Sequence, residues 1–273
     1  MGEAEITITS RGPVSFTFSE LWKNRELLYF LAWRDVKVKY KQTYLGVLWV
    51  ILQPLLLMAI FYIIFFRTLN IAVGMSYPVY ASGGLILWGL LSSGINNSSE
   101  SMLGSAQMIR KIYFPRILIP MASVLTALLD FFIAFLVFIV LLFIFRQPVS
   151  WHILYCFPLA VTLTTISSLG LGALLAALNV KYRDFRYLLP FGMQLIFFSS
   201  QIVYSLHALQ KDWIKLLLFC NPLNGALELF SYPLRNEQMN VAGILISSGM
   251  AILFLLAGLL YFKRTEVYFA DVI

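Results

Sequence analysis

Charge is the scarcest thing in this sequence. Asp, Glu, Lys and Arg make up 12% of 273 residues, about half the roughly 25% of a soluble domain. Hydrophobic residues make up 60% and mean hydropathy is +0.82. The apolar residues come in blocks of about twenty or more, which excludes a soluble globular domain and indicates spans of a bilayer. Cysteine is almost missing. Cys156 and Cys220 stand alone, without the neighbours of a metal site or a disulfide framework, and are read as small hydrophobes. His152 and His207 are the only histidines. No G-x-x-x-x-G-K-[ST], H-E-x-x-H, G-x-S-x-G or carboxylate cluster occurs, which argues against P-loop nucleotide binding and against an intramembrane enzyme. The net charge of +7 is not gathered in a soluble basic stretch. It is read as topogenic charge and contact with anionic lipid, not as a nucleic-acid footprint. Residues 1–44 are too polar and too long to open a cleavable signal peptide.

What is present reads as an all-α polytopic membrane protein, one transmembrane domain over 1–273 with six spans. Residues 18–42 form an amphipathic helix, opened by a Ser19 cap and Glu20. Trp22, Tyr29, Trp33, Val36 and Tyr40 share one stripe. Lys23, Arg34, Lys37 and Lys41 lie mostly off it, the pattern of a helix lying in the membrane interface. The spans are placed at 45–66, kinked at Pro54, then 80–95, 117–145, 151–180, 187–204 and 241–262. Asn97 followed by Glu100 reads as a capping-box start for a short amphipathic helix over 97–114, with Met102, Ala106, Ile109 and Tyr113 on one face. Two apolar stretches within 213–232, separated by Asn221-Pro222, are too short to span and read as half-helices dipping into the membrane. Fifteen of the 20 Lys and Arg fall on one set of alternating segments and five on the other. That bias puts both termini and the 96–116 loop in the cytoplasm.

Two groups of residues stand out chemically. Asp130 is the one acidic residue deep in a span, either a functional carboxylate or a structural one bonded to a hydroxyl such as that of Thr126. Aromatics make up 16% of the chain. Most are expected to be lipid-facing or interfacial belts, but Tyr62, Tyr80, Trp88, Phe197, Phe198 and Tyr204 border a possible pathway, where aromatic faces suit sugar rings.

Five stretches then share one resemblance. "WRDVKVKYKQTYLGVLWVILQPLLLMAIFYIIFF" (33–66), "MIRKIYFPRILIP" (108–120), "NVKYRDFRYLLPF" (179–191), "FCNPLNGALELF" (219–230) and "FKRTEVYFADVI" (262–273) resemble, in order, segments of ABC type-2 permeases that export polysaccharide or polyol phosphate. The resemblance implies a homodimer in the bacterial inner membrane. It implies a separate ABC ATPase subunit, in two copies, which carries the ATP and Mg that this chain does not hold. It implies a cargo such as O antigen, capsule or teichoic acid on an undecaprenyl-diphosphate carrier. It assigns ATPase coupling to the 97–114 helix, with Glu100, Met102, Ala106, Ile109, Arg110 and Tyr113. It sets the 18–42 helix beside a lateral gate, where Arg34, Lys37, Lys39 and Lys41 are candidates to hold the diphosphate. The outer half-helices, with Trp213, Asn221 and Pro222, gate the exit. One departure is Gln201, which stands where the family often carries a proline, so the fifth span is expected to be straighter. Two other classes remain open: an ABC type-2 exporter of a drug or small hydrophobic molecule, and an ion-coupled secondary transporter built around Asp130.

Overall fold

The computed structural model describes residues 22–41, 46–68, 73–112, 114–182, 184–206, 211–235 and 238–269. Ser19, Glu20, Leu45, Tyr113 and His207 lie outside them. Among the described residues every regular element is helical. They are α1 (Arg25–Lys41), α2 (Gly46–Phe61), α3 (Tyr77–Gly104), α4 (Ala106–Lys111), α5 (Leu118–Ile144), α6 (Ile153–Lys181), α7 (Phe185–Phe198), α8 (Asp212–Phe219), α9 (Pro222–Ser231) and α10 (Val241–Thr265).

Among the described residues five helices are long and apolar enough to cross a membrane: α2 with its continuation to Thr68, α3, α5, α6 and α10. The expected fifth of six spans is α7, of 14 residues, or about 21 Å at 1.5 Å per residue. That falls short of the ~30 Å hydrocarbon core, because the helix stops at Phe198 rather than running on straight to residue 204. Pro54 sits inside α2 as expected. Beyond Phe61 that helix widens into a π-helix, Tyr62–Thr68, where the Thr68 hydroxyl donates to the Ile63 carbonyl at 3.0 Å.

α3 is the central post. It packs most extensively on α5 and α6, and α6 packs in turn on α10. Small residues make this possible, since in lipid helices associate by close packing rather than by excluding water. A close backbone-to-backbone approach joins α6 to α10. A methyl group placed on Gly258 would stand 2.1 Å from the Gly170 carbonyl oxygen, and one on Gly170 would stand 2.5 Å from the Leu255 nitrogen.

The expected helix start at Asn97 is not a boundary. α3 runs unbroken to Gly104 and bends at Ser105. Only the buried serines of the polar run that suggests a cap take part in helix–helix bonding among the described residues, while Asn96 and Asn97 are exposed. The Ser98 hydroxyl donates to the Pro120 carbonyl at 3.0 Å, and the Asn179 amide of α6 donates to the Ser99 carbonyl at 3.0 Å. Ser101 bonds back to its own helix.

Substituting Gly258 with Leu should force α6 and α10 apart. The expected result, read by thermal melting of the detergent-purified protein and by its yield in membranes, is loss of most folded material. Substituting Gly249, which has open space around it, should leave both unchanged.

Candidate coupling, entrance and exit sites

At the Ser105 end, α3 bends into α4. Met102 and Ile109 are buried in a cluster with Leu31 and Ala32 of α1, Ala122 of α5, Ala176 of α6 and Phe262 of α10. The face expected to press on a partner is therefore turned inward, with Ala106 half-buried beside it. The bend at Ser105 rotates the other side outward, exposing Leu103, Gln107, Arg110, Lys111 and Ile112. Glu100 is exposed and faces Arg186 of α7 at 3.3 Å, an exposed pair worth little by itself. Arg116 donates from its guanidinium to the Glu266 carbonyl and from its backbone to the Glu266 carboxylate at 3.1 Å. It thus ties the start of α5 to the end of α10.

α1 exposes Trp22, Tyr29 and Trp33 of its aromatic stripe and buries Leu31 and Ala32 while it packs along α5. Its length brings Lys39 and Tyr40 to Asp130. The Lys39 ammonium and the Tyr40 hydroxyl both donate to that carboxylate, whose side chain is 10% exposed. Thr126 does not serve it, bonding instead to the Ala122 carbonyl at 3.1 Å. Burial, and then Asp130, push the Tyr40 hydroxyl above its ordinary pKa, so Tyr40 remains a proton donor. Of the other expected entrance cations, Arg34 turns to Asp35 at 2.8 Å, Lys37 lies over the Trp33 ring at 5.5 Å and Lys41 is exposed.

Beside Asp130 a cavity of about 410 Å³ opens between α2, α3 and α5. Lys39 and Asp130 stand at one side. Trp49, Gln53, Trp88, Ser92 and Ser93 supply its polar and aromatic lining. Trp88 meets Phe197 edge-on at 5.1 Å, so these two expected pathway aromatics touch. Phe198 is exposed, and Tyr62 stacks on Phe66 at 5.3 Å. Tyr80 is buried in a structural role, donating to the carbonyls of Gln201 at 2.5 Å and Tyr204 at 2.8 Å. Tyr204 donates to the Phe198 carbonyl at 3.1 Å.

At the opposite end of the bundle, Asn221 caps α9 by accepting from the Leu223 N–H at 3.1 Å, with Pro222 in the first turn. This is a favoured pairing of residues at a helix start. Trp213 is exposed. The Asn221 amide also donates to the Ile196 carbonyl at 2.9 Å and to the hydroxyls of Ser199 and Ser200 at 3.0 and 2.9 Å. Asn224 donates to the Ser199 carbonyl at 2.8 Å and accepts from the Gln201 N–H at 2.7 Å. Gln201 answers with its own amide to the Asn224 carbonyl at 2.8 Å. Gln201 therefore locks the end of α7 to the hairpin instead of extending the helix. Next to it Glu228 and Arg235 pair at 2.9 Å, their side chains 1% and 2% exposed. Ser231 and Ser205 accept further bonds from Arg235. Sequence reasoning missed this pair; two opposite charges seven residues apart, one inside and one just after a short apolar helix, are the available signal.

Replacing Asp130 with Leu should remove the carboxylate that Lys39 and Tyr40 share and loosen the end of α1. Limited trypsin digestion is expected to cut at Lys37, Lys39 or Lys41 several-fold faster than in the native chain. The Lys39→Met, Asp130→Leu double variant should return most of the protection, because removing both partners of a poorly hydrated pair costs less than removing one.

The family model described as "ABC-2 type transporter" matches residues 26–235, from α1 to the buried arginine of the outer pair. An O-antigen export system permease protein RfbA of Klebsiella pneumoniae is 28% identical over 248 residues, covering 91% of this chain and 95% of the relative. The RfbA of Myxococcus xanthus is 26% identical, covering 92% and 97%. A polysialic acid transport protein KpsM of Escherichia coli is 28% identical, covering 72% and 76%. With three-quarters of its length inside one family model and its apolar helices arranged as a membrane bundle, the chain belongs to the ABC-2 type transporter family.

Proposed function

We propose that this chain is the membrane permease of an ATP-driven exporter of lipid-linked polysaccharide. The cargo, O antigen or a similar glycan on undecaprenyl diphosphate, crosses the bacterial inner membrane between two copies of the chain. ATP and Mg are bound by a separate ABC ATPase subunit, present twice. Both termini face the cytoplasm, in keeping with the Lys and Arg bias. The short α7, continued by its bonded turn, makes the fifth of six crossings, and α8 and α9 form an outer hairpin.

The observation that carries this reading is α3. It runs without a break from the outer bundle to the Ser105 bend, and Met102 and Ile109 on either side of the bend are locked into one core with α1, α5, α6 and α10. A push on α4 is then carried by packed side chains to the whole bundle. Because Met102 and Ile109 are spent on that core, contact with the ATPase falls to Gln107, Arg110, Lys111 and Ile112. Among the described residues the two buried carboxylates are each paired to a cation, Asp130 to Lys39 of α1 and Glu228 to Arg235, an arrangement that favours a primary pump over an ion-coupled carrier. Lys37 and Lys41, beyond the reach of Asp130, are the cations best placed to meet a diphosphate.

Deleting the gene should make cells accumulate lipid-linked glycan on the cytoplasmic side, with surface glycan restored by the native chain. Accumulation of no glycan would favour a small hydrophobic cargo. Reversing Arg110 and Lys111 to Glu should abolish co-purification of the ATPase while leaving the permease's melting temperature unchanged.

A further inference from the structure

α3 carries a second face that is packed less tightly than the first, with Trp88 against Phe197 at one end. Trp88, Gly89, Ser92, Ser93, Asn96, Asn97 and Glu100 fall within one half of the helix circumference at 100° per residue. All seven are half-buried or exposed, while Leu90, Leu91, Gly94, Ile95 and Ser98 on the other half are buried. The face covers about 18 Å of helix, from the cavity beside Asp130 down to the Ser105 end.

Its chemistry sets it apart. Polar groups within helical bundles ordinarily bond to neighbouring helices, as Ser98 and Asn179 do here. On this face Ser93, Asn96 and Asn97 make no side-chain hydrogen bond to a described residue, and neither does Gln53, which lines the cavity opposite them from α2. Unbonded amides and hydroxyls are costly against hydrocarbon, so a face that keeps three of them, with Gln53 across from it, meets water or a hydrogen-bonding ligand. Among the described residues charge stands at its borders, as the Lys39–Asp130 pair beside the cavity and the Glu100–Arg186 pair at the far end.

We infer that Gln53, Ser93, Asn96 and Asn97 form a hydrated, uncharged wall of the cytoplasmic inlet that takes the neutral, hydroxyl-rich part of the cargo. The inference rests on the exporter reading. Amides offer donors and acceptors together, as a polyol requires, and neutral groups bind each sugar weakly enough to release it to the next. Trp49 and Trp88 line the same cavity and offer ring faces to a sugar at its inner end. The wall selects for hydroxyl-rich cargo without reading a charge, whereas the cations of α1 address the carrier's phosphates.

The test uses the permease with its ATPase in inside-out vesicles, in a Cys156→Ala, Cys220→Ser background that retains export. Ser93→Cys, Asn96→Cys and Asn97→Cys are expected to react with a membrane-impermeant maleimide at least tenfold faster than Leu91→Cys and Ile95→Cys. Uniformly slow labelling, with native export intact, would mean a dry contact with lipid or a second copy and would overturn the wall alone. Asn96→Leu with Asn97→Leu should lower glycan export at least tenfold at unchanged protein level and ATPase association, and Asn96→Gln should retain it. Undiminished export by the leucine pair would also overturn the inference. Failure of the native chain to restore glycan export in the deletion strain would overturn the exporter reading, and with it the cargo assigned to this wall.

Discussion

A polypeptide in hydrocarbon must satisfy its own backbone, and the end of α7 is where that demand is hardest to meet. The helix stops at Phe198, and the carbonyls of Ile196, Ser199, Gln201, Val203 and Tyr204 all need donors. They receive them from Asn221, Asn224, Tyr80 and Tyr77. The α8–α9 hairpin and the first turn of α3 are thus side-chain donors for a helix that ends early. The first turn of α9 is closed by the same Asn221. The Glu228–Arg235 pair fastens the base of the hairpin. Truncating either partner of such a buried pair costs about 3–5 kcal/mol, so the hairpin's position is held firmly.

The opposite end works by burial instead. α1, α4, the start of α5 and the ends of α6 and α10 share one apolar cluster, with Arg116 fastening Glu266 across it. Between these two fixed ends the frame of α3, α5, α6 and α10 is closely packed. α2 stands apart, with none of its apolar window buried. The molecule therefore joins a stiff frame to one loosely held span, and the cavity beside Asp130 lies where the two meet.

The sequence made most of this legible because apolar runs and turn residues report directly on spans. The ends of α5, α6, α8 and α10 fall within a few residues of the expected boundaries. The errors share a cause. At Asn97 and Glu100 a polar run resembles a helix start, but inside a bundle polar residues also bond across helices, as Ser98 does, or face an open side, as Asn97 does, and local sequence does not say which. Gln201 looked like a straightened span, since its partners Asn224 and Glu228 are more than twenty residues away. The aromatic stripe of α1 concealed Leu31 and Ala32, which carry its packing, and the Lys39–Asp130 contact joins residues ninety positions apart. The open polar face of α3 was hidden for the same reason: whether a serine or asparagine has a partner is a property of the fold.

The contact between Gly170 and Gly258 has a consequence for motion. Helices that interlock through long side chains slide past one another by small rotamer changes, the basis of shear movements. Where backbone touches backbone there is no such play, since a slip of even one residue would bring a β-carbon against a carbonyl. α6 and α10 therefore travel as a single rod, and conformational change in this molecule proceeds by swinging elements about that rod rather than by gliding within it.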